Sequence, residues 1–187
     1  MIASRMRRLP FALALAFALA TAVPADATVV DVKPNGFMLE ITTHIAAPAD
    51  KVYATLITPA HWWSPEHTFS GDARNLTFDP RAGGCWCEKL PHGGSAVHLS
   101  VVHVEPGKVL RLRGALGPFQ ALGVDGALTW SLKPAGDGTD VSLTYELGGY
   151  GKDGFAEWSM GADSVLTEQV GRLKRLVETG SPGKPQS

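Results

Sequence analysis

Apolar residues recur at every second position in short runs between Phe37 and Gly149, and each run ends in glycine or proline. Phe37, Leu39, Ile41 and Ile45 share one face of the first run, and Glu40, Thr42 and His44 share the other. That period of two predicts a half-buried strand. Leu128, Trp130 and Leu132 alternate with Thr129, Ser131 and Lys133, and Val141, Leu143, Tyr145 and Leu147 alternate with Ser142, Thr144 and Glu146. Pro34-Asn35-Gly36, His92-Gly93-Gly94, Pro106-Gly107-Lys108 and Gly136-Asp137-Gly138 punctuate the runs as turns. Strands joined this closely form an antiparallel sheet.

Two segments depart from the alternation. Ala49 to Thr58 predicts a short helix, with Pro48 at a start that tolerates proline, Asp50 suited to the helix dipole and Pro59 as its stop. Pro59 to Pro65, carrying Trp62 and Trp63, is expected to form a second short helix or turn. From Gly154 to Thr179, Phe155, Trp158, Ala162, Val165, Gln169, Leu173 and Leu176 recur at three- and four-residue steps, the stripe of a long helix. Lys152, Glu157, Glu168, Arg172, Lys174 and Arg175 are expected mostly off that stripe, in water. A lone long helix after a run of strands has to bury its stripe against the sheet. The fold class is therefore α+β, a curved antiparallel sheet around one helix, with a cavity between them.

At 187 residues and 44% hydrophobic content the chain favours one globular domain. A formal net charge of −1 gives no reason to expect a nucleic-acid partner. Arg5, Arg7 and Arg8, the apolar run Leu9 to Val23 and the small residues of Ala25-Asp26-Ala27 have the layout of a secretory signal. Cleavage is expected after Ala27; an uncleaved anchor is disfavoured because the apolar run is shorter than the ~20 residues a spanning helix needs. The expected organisation is a signal at 1–27, a lead-in at 28–36, a domain at 37–179 and a disordered tail at 180–187. The expected location is periplasmic or secreted, by general secretion or, given Arg7-Arg8, twin-arginine export, with no stable membrane span after cleavage.

The run Ile45-Ala46-Ala47-Pro48-Ala49-Asp50-Lys51-Val52-Tyr53-Ala54 resembles the opening of the SRPBCC, or START-like, superfamily. The Trp62-Trp63 pair, Gly83-Gly84 followed by Cys85-Trp86-Cys87-Glu88, the run Val104 to Leu112, and Gly138-Thr139 with Val141 to Tyr145 continue the likeness. Within the superfamily the chain looks most like the group named after activators of a heat-shock-protein ATPase, over Phe37 to Glu178. The resemblance implies a helix-grip fold: a seven-stranded antiparallel sheet around the C-terminal helix, with two short helices closing one end. It implies a cavity for lipids, sterols, polyketides or other apolar molecules; some members are cyclases, dehydratases or hydrolases and others co-chaperones. An export signal would carry this chain away from a cytosolic chaperone partner.

The expected partner is thus an apolar or amphipathic small molecule. Trp62, Trp63, Phe78, Trp86, Trp130, Tyr145 and Trp158, with Val165 and Gln169 of the long helix, are the candidate ligand-binding residues. The same rings also suit an ordinary core. Gln169 or Arg111 is expected to orient a polar end of the ligand.

Glu88 is the one candidate catalytic group. It either faces the cavity with a raised pKa, as an acid or base, or pairs with Arg111 or Arg113 on the sheet surface. Cys85 and Cys87 share a strand face, which suggests a disulfide, although two residues apart is an awkward spacing in a flat strand. A metal site with His98 and His103 is the other reading, but five residues place those two on opposite faces unless a bulge intervenes. His61 and His67 flank the tryptophan pair. GxSxG, HExxH and phosphate-cradling motifs are absent, and no metal or cofactor is expected. Three functions stay open: an exported binding protein, an acid/base enzyme using the same cavity, and a protein-interaction or co-chaperone-like module without a ligand.

Overall fold

The protein was studied as a computed structural model that describes residues 26–185. Eight strands form one antiparallel sheet: β1 (Asp26–Lys33), β2 (Gly36–Ile45), β3 (Leu76–Phe78), β4 (Cys85–Lys89), β5 (Ser95–Glu105), β6 (Val109–Arg113), β7 (Gly123–Ala135) and β8 (Gly138–Tyr150). Their spatial order is β1-β2-β8-β7-β6-β5-β4-β3. The first and last parts of the chain therefore meet in mid-sheet, where β2 pairs with β8 along its whole length. Helix α1 (Ala49–Leu56) and short 3₁₀ turns at Pro59–His61, Pro65–His67 and Ala73–Asn75 fill the link from β2 to β3, and helix α2 (Ala156–Thr179) closes the chain. This is the α+β, helix-grip architecture. None of the described helices is long and apolar enough to cross a membrane.

The alternating residues do what their spacing requires. Phe37, Leu39, Ile41 and Ile45 of β2, Leu128, Trp130 and Leu132 of β7, and Val141, Leu143, Tyr145 and Leu147 of β8 are all buried on the face toward α2. Leu166, Val170, Leu173 and Val177 of α2 are buried in the same core. The helix ends at Gly180, whose left-handed backbone (φ 79°) lets its N–H reach Leu176 O at 2.9 Å.

The structure departs from the sequence reading in four places. The sheet has an eighth strand, β1, in the expected lead-in. Pro34 and Asn35 form the two-residue turn that pairs it with β2. Its pattern is hard to read because the register slips between Val29 and Asp31 and both Val30 and Val32 are exposed, as befits an edge.

Glu168 and Arg172 are buried rather than solvated. The segment after α1 covers a second flank of α2: Arg172 Nε donates to Trp62 O (2.8 Å), and His67 Nε2 meets Glu168 Oε2 (3.1 Å). Trp158, expected on the buried stripe, is 38% exposed.

The start of the expected disordered tail lies along α2, because Gly183 O accepts from Arg172 Nη1 and Pro182 O accepts from Arg175 Nε. The expected signal lies outside the described residues except for Asp26 and Ala27, which pair with Thr42 and Ile41 of β2. Cleavage after Ala27 would remove the first two residues of β1.

Leu173 is fully buried where α2 meets the core. Leu173→Ala is expected to lower stability by about 2–5 kcal/mol through lost burial and the cavity left behind. Trp158→Ala should cost far less, and urea unfolding of both variants checks the contrast.

Candidate functional site

The two halves of α2 do different things. Its second half is packed into the core, whereas Ala156, Trp158, Ala162, Val165 and Leu166 of the first half line a cavity of about 1050 Å³. The opposite wall is Trp86 of β4, His98 of β5 and Tyr145 of β8. The chain from Trp63 to Phe69 forms one rim, and the loop from Leu116 to Phe119 forms another.

Trp63, Phe69, Trp86, Phe119, Tyr145 and Trp158 supply the large rings of the cavity wall. Trp63 and Trp86 meet edge to face with ring centres 4.7 Å apart, and Phe119 packs on Trp158 at 5.3 Å. Tyr145 fixes the far rim: its hydroxyl accepts from Leu116 N (3.0 Å) and lies 3.4 Å from Gly114 O. Burial pushes that phenol up to about 12, so it stays protonated at neutral pH.

Of the residues singled out in the sequence, Trp63, Trp86, Tyr145, Trp158 and Val165 are brought together on this cavity. Trp62, Phe78 and Trp130 instead surround a separate void of only about 10 Å³. Gln169 is also elsewhere. It is fully buried, and its Oε1 accepts from Ser64 N (2.7 Å), pinning the tryptophan-bearing segment to α2. Arg111 points away from the cavity and donates to Thr129 Oγ1 on the sheet exterior. Neither residue expected to orient a ligand therefore lines the cavity.

Glu88 takes neither expected role. Arg113 pairs with Asp125, and Glu88 is buried just behind the cavity wall at 1% exposure. His98 Nε2 donates to its Oε2 (2.8 Å), Phe69 N donates to the same oxygen (3.1 Å), and Ser70 N donates to Oε1. Burial pushes its pKa up, but the hydrogen bonds from Ser70, His98 and Phe69 outweigh it, so the carboxyl titrates below its ordinary value. It is an ionised anchor rather than a raised-pKa acid. The bond to Glu88 places the His98 proton on Nε2, while Nδ1 lies 3.5 Å from the Gln120 amide nitrogen. Phe69 stacks on the imidazole with centres 5.2 Å apart.

His98 reaches this position through a β-bulge. Trp86 pairs with Leu99 and Cys87 with Val97, which leaves His98 as the extra residue of β5. Both His98 and Leu99 are consequently buried. A second slip between Val101 and His103 leaves His103 on the surface beside Glu105. Across from the first bulge, Cys85 and Cys87 form a disulfide with Cα atoms 5.5 Å apart. A flat strand would separate them by about 6.6 Å, so the pucker of β4 removes the objection raised by the spacing. Among the described residues no three His, Cys, Asp or Glu side chains converge on a common metal position.

A sheet gripping one helix, with a hollow under half of it, is the architecture of the SRPBCC superfamily. The family described as polyketide cyclase / dehydrase and lipid transport matches residues 37–178, and the chain belongs to it. No curated protein matches the sequence. A conserved protein of unknown function from Enterococcus faecalis superposes with a TM-score of 0.61 at 16% identity, over 86% of this chain and 82% of its own. DynU16, from the dynemicin biosynthetic locus, gives 0.54 at 23% identity, over 79% of this chain and 49% of its own. The Aha1 dimer from Colwellia psychrerythraea also gives 0.54, at 16% identity, over 76% of this chain and 97% of its own. At such identities these structures speak to the fold alone.

Glu88 stabilises the folded state in its ionised form. Because its folded pKa is lowered, that stabilisation is present above the ordinary carboxylate pKa and is lost as pH falls through the lowered value. Glu88→Gln is expected to cost about 1–3 kcal/mol at neutral pH and to flatten the acid limb of stability against pH. Thermal melts from neutral to strongly acidic pH measure both effects.

Proposed function

We propose that this protein is an exported carrier that holds a hydrophobic or amphipathic small molecule between the sheet and the first half of α2. The observation that carries the reading is the cavity of about 1050 Å³ and its aromatic wall. Its size suits a lipid- or polyketide-sized guest, and removing apolar ligand surface from water drives binding at about 25 cal/mol per Å² before ordering costs. Family membership supports the same reading, since the family is described by polyketide cyclisation or dehydration and by lipid transport. The leader-like start of the sequence supports export. Polar rim groups such as Glu66, His67, Asp153 and Glu157 leave room for an amphipathic guest whose head meets water.

Native mass spectrometry of the purified protein should show a bound small molecule, or a gain in mass after exposure to a lipid extract. Trp63, Trp86 and Trp158 fluorescence should change with it. Ala162→Trp, which fills the cavity from the helix side, is expected to weaken binding by roughly tenfold or more while the melting transition stays cooperative. Apo mass only, with no extract altering the fluorescence, would refute the carrier.

One observation favours a second reading, an acid/base enzyme in the same cavity. His98 stands on the wall with Nε2–H held by an ionised carboxylate, which leaves Nδ1 as the basic nitrogen. In that case His98→Gln abolishes turnover of the molecule found by mass spectrometry and leaves its binding intact. A carrier releases that molecule unchanged with either residue.

A further inference from the structure

Resting on the carrier reading, we infer that the Cys85–Cys87 disulfide is a redox clasp on the cavity wall, and that only the oxidised protein holds the ligand-binding shape. The disulfide brackets Trp86, a wall residue, and directly precedes Glu88, the anchor of His98. It lies opposite the bulge that turns His98 inward. One covalent bond therefore sits in the backbone that positions Trp86 and His98 of the wall and Glu88 behind them.

The inward side chains of β4 are held by packing and hydrogen bonds, whereas on its outer face the disulfide is what draws Cys85 and Cys87 together. β4 has five residues, and its outer neighbour β3 has three and forms the sheet edge. Upstream, Gly83 N donates to Val101 O (2.9 Å) and Val101 N donates to Gly84 O (2.8 Å), which anchors only the entry to the strand. Without the disulfide, β4 can extend toward the ordinary two-residue spacing of about 6.6 Å. Lengthening it there shifts Trp86 and Glu88 against β5, and a change of pairing of one residue turns a side chain to the other face. Both cysteines are half-buried on the outer face of the strand, so a reagent reaches them without entering the cavity.

The chemistry balances with an ordinary partner. Two thiols give up two protons and two electrons to a disulfide-bearing oxidant, which leaves as a dithiol. Reducing compartments keep the pair open and oxidising ones close it. A protein made before export would be unable to load ligand until the clasp forms.

The test uses the purified full-length protein and the neutral fluorophore N-phenylnaphthylamine. Binding is compared for the oxidised protein, the protein reduced with a phosphine, and a Cys85→Ser/Cys87→Ser variant. In the reduction step the phosphine takes the oxygen of water and the two sulfurs take its hydrogens. The reduced and variant proteins are expected to bind roughly tenfold or more weakly, with the variant indifferent to the phosphine and circular dichroism retained. Equal affinity in all three forms, or two free thiols in protein isolated from an oxidising compartment, overturns the clasp.

A protein that binds no probe in any form fails as a carrier, and the His98 imidazole resonances then decide the clasp separately. A shift on reduction upholds it, and unchanged resonances overturn it.

Discussion

The constraint on which the structure depends is the unequal burial of α2 along its length. From Leu166 onward the helix is enclosed on two sides, by the sheet and by the segment after α1. Before Leu166 it spans a hollow instead of filling it. Arg172 and Gln169 hold that division in place. Each bonds a backbone atom of the Trp62–Ser64 segment, so the cavity rim is tied to the best-packed part of the helix. Buried polar groups of this kind are stabilising only while their partners remain, which makes the junction specific as well as firm.

A second dependence runs through the far wall. β4 and β5 lie toward the far edge of the sheet, and each of the two pairings made by β5 carries a register slip. The bulge brings a titratable ring to the cavity wall, and Glu88, supported by two backbone N–H groups, fixes the ring's orientation. This gives a polar site at the end of an aromatic hollow. A carrier can use it to orient a guest, and an enzyme can use it to move a proton. The fold accommodates both uses, and only the fate of the bound molecule separates them.

The order and type of elements were legible in the residues. The period-two runs of β2, β7 and β8 and the three- and four-residue steps of α2 predict a sheet closing on one helix, and the core is built from those positions. Five of the nine candidate ligand-binding residues meet on one cavity. Trp62, Trp130 and Phe78 were indistinguishable from them in sequence, because an aromatic ring packs equally well against protein or ligand. The sequence also left β1 unread, since the register slips within it and Val30 and Val32 of this edge strand are exposed.

Local pattern therefore determined which residues alternate, where the chain turns and that one amphipathic helix needs a sheet, because these follow from side-chain period and backbone preference within a few residues. Tertiary structure alone decided that Glu168 and Arg172 go inside, that His98 turns toward Glu88 and that Cys85 reaches Cys87. Each of those outcomes depends on what a distant strand or turn places alongside. A bulge leaves no reliable mark on the strand that carries it, because it arises from pairing between two strands.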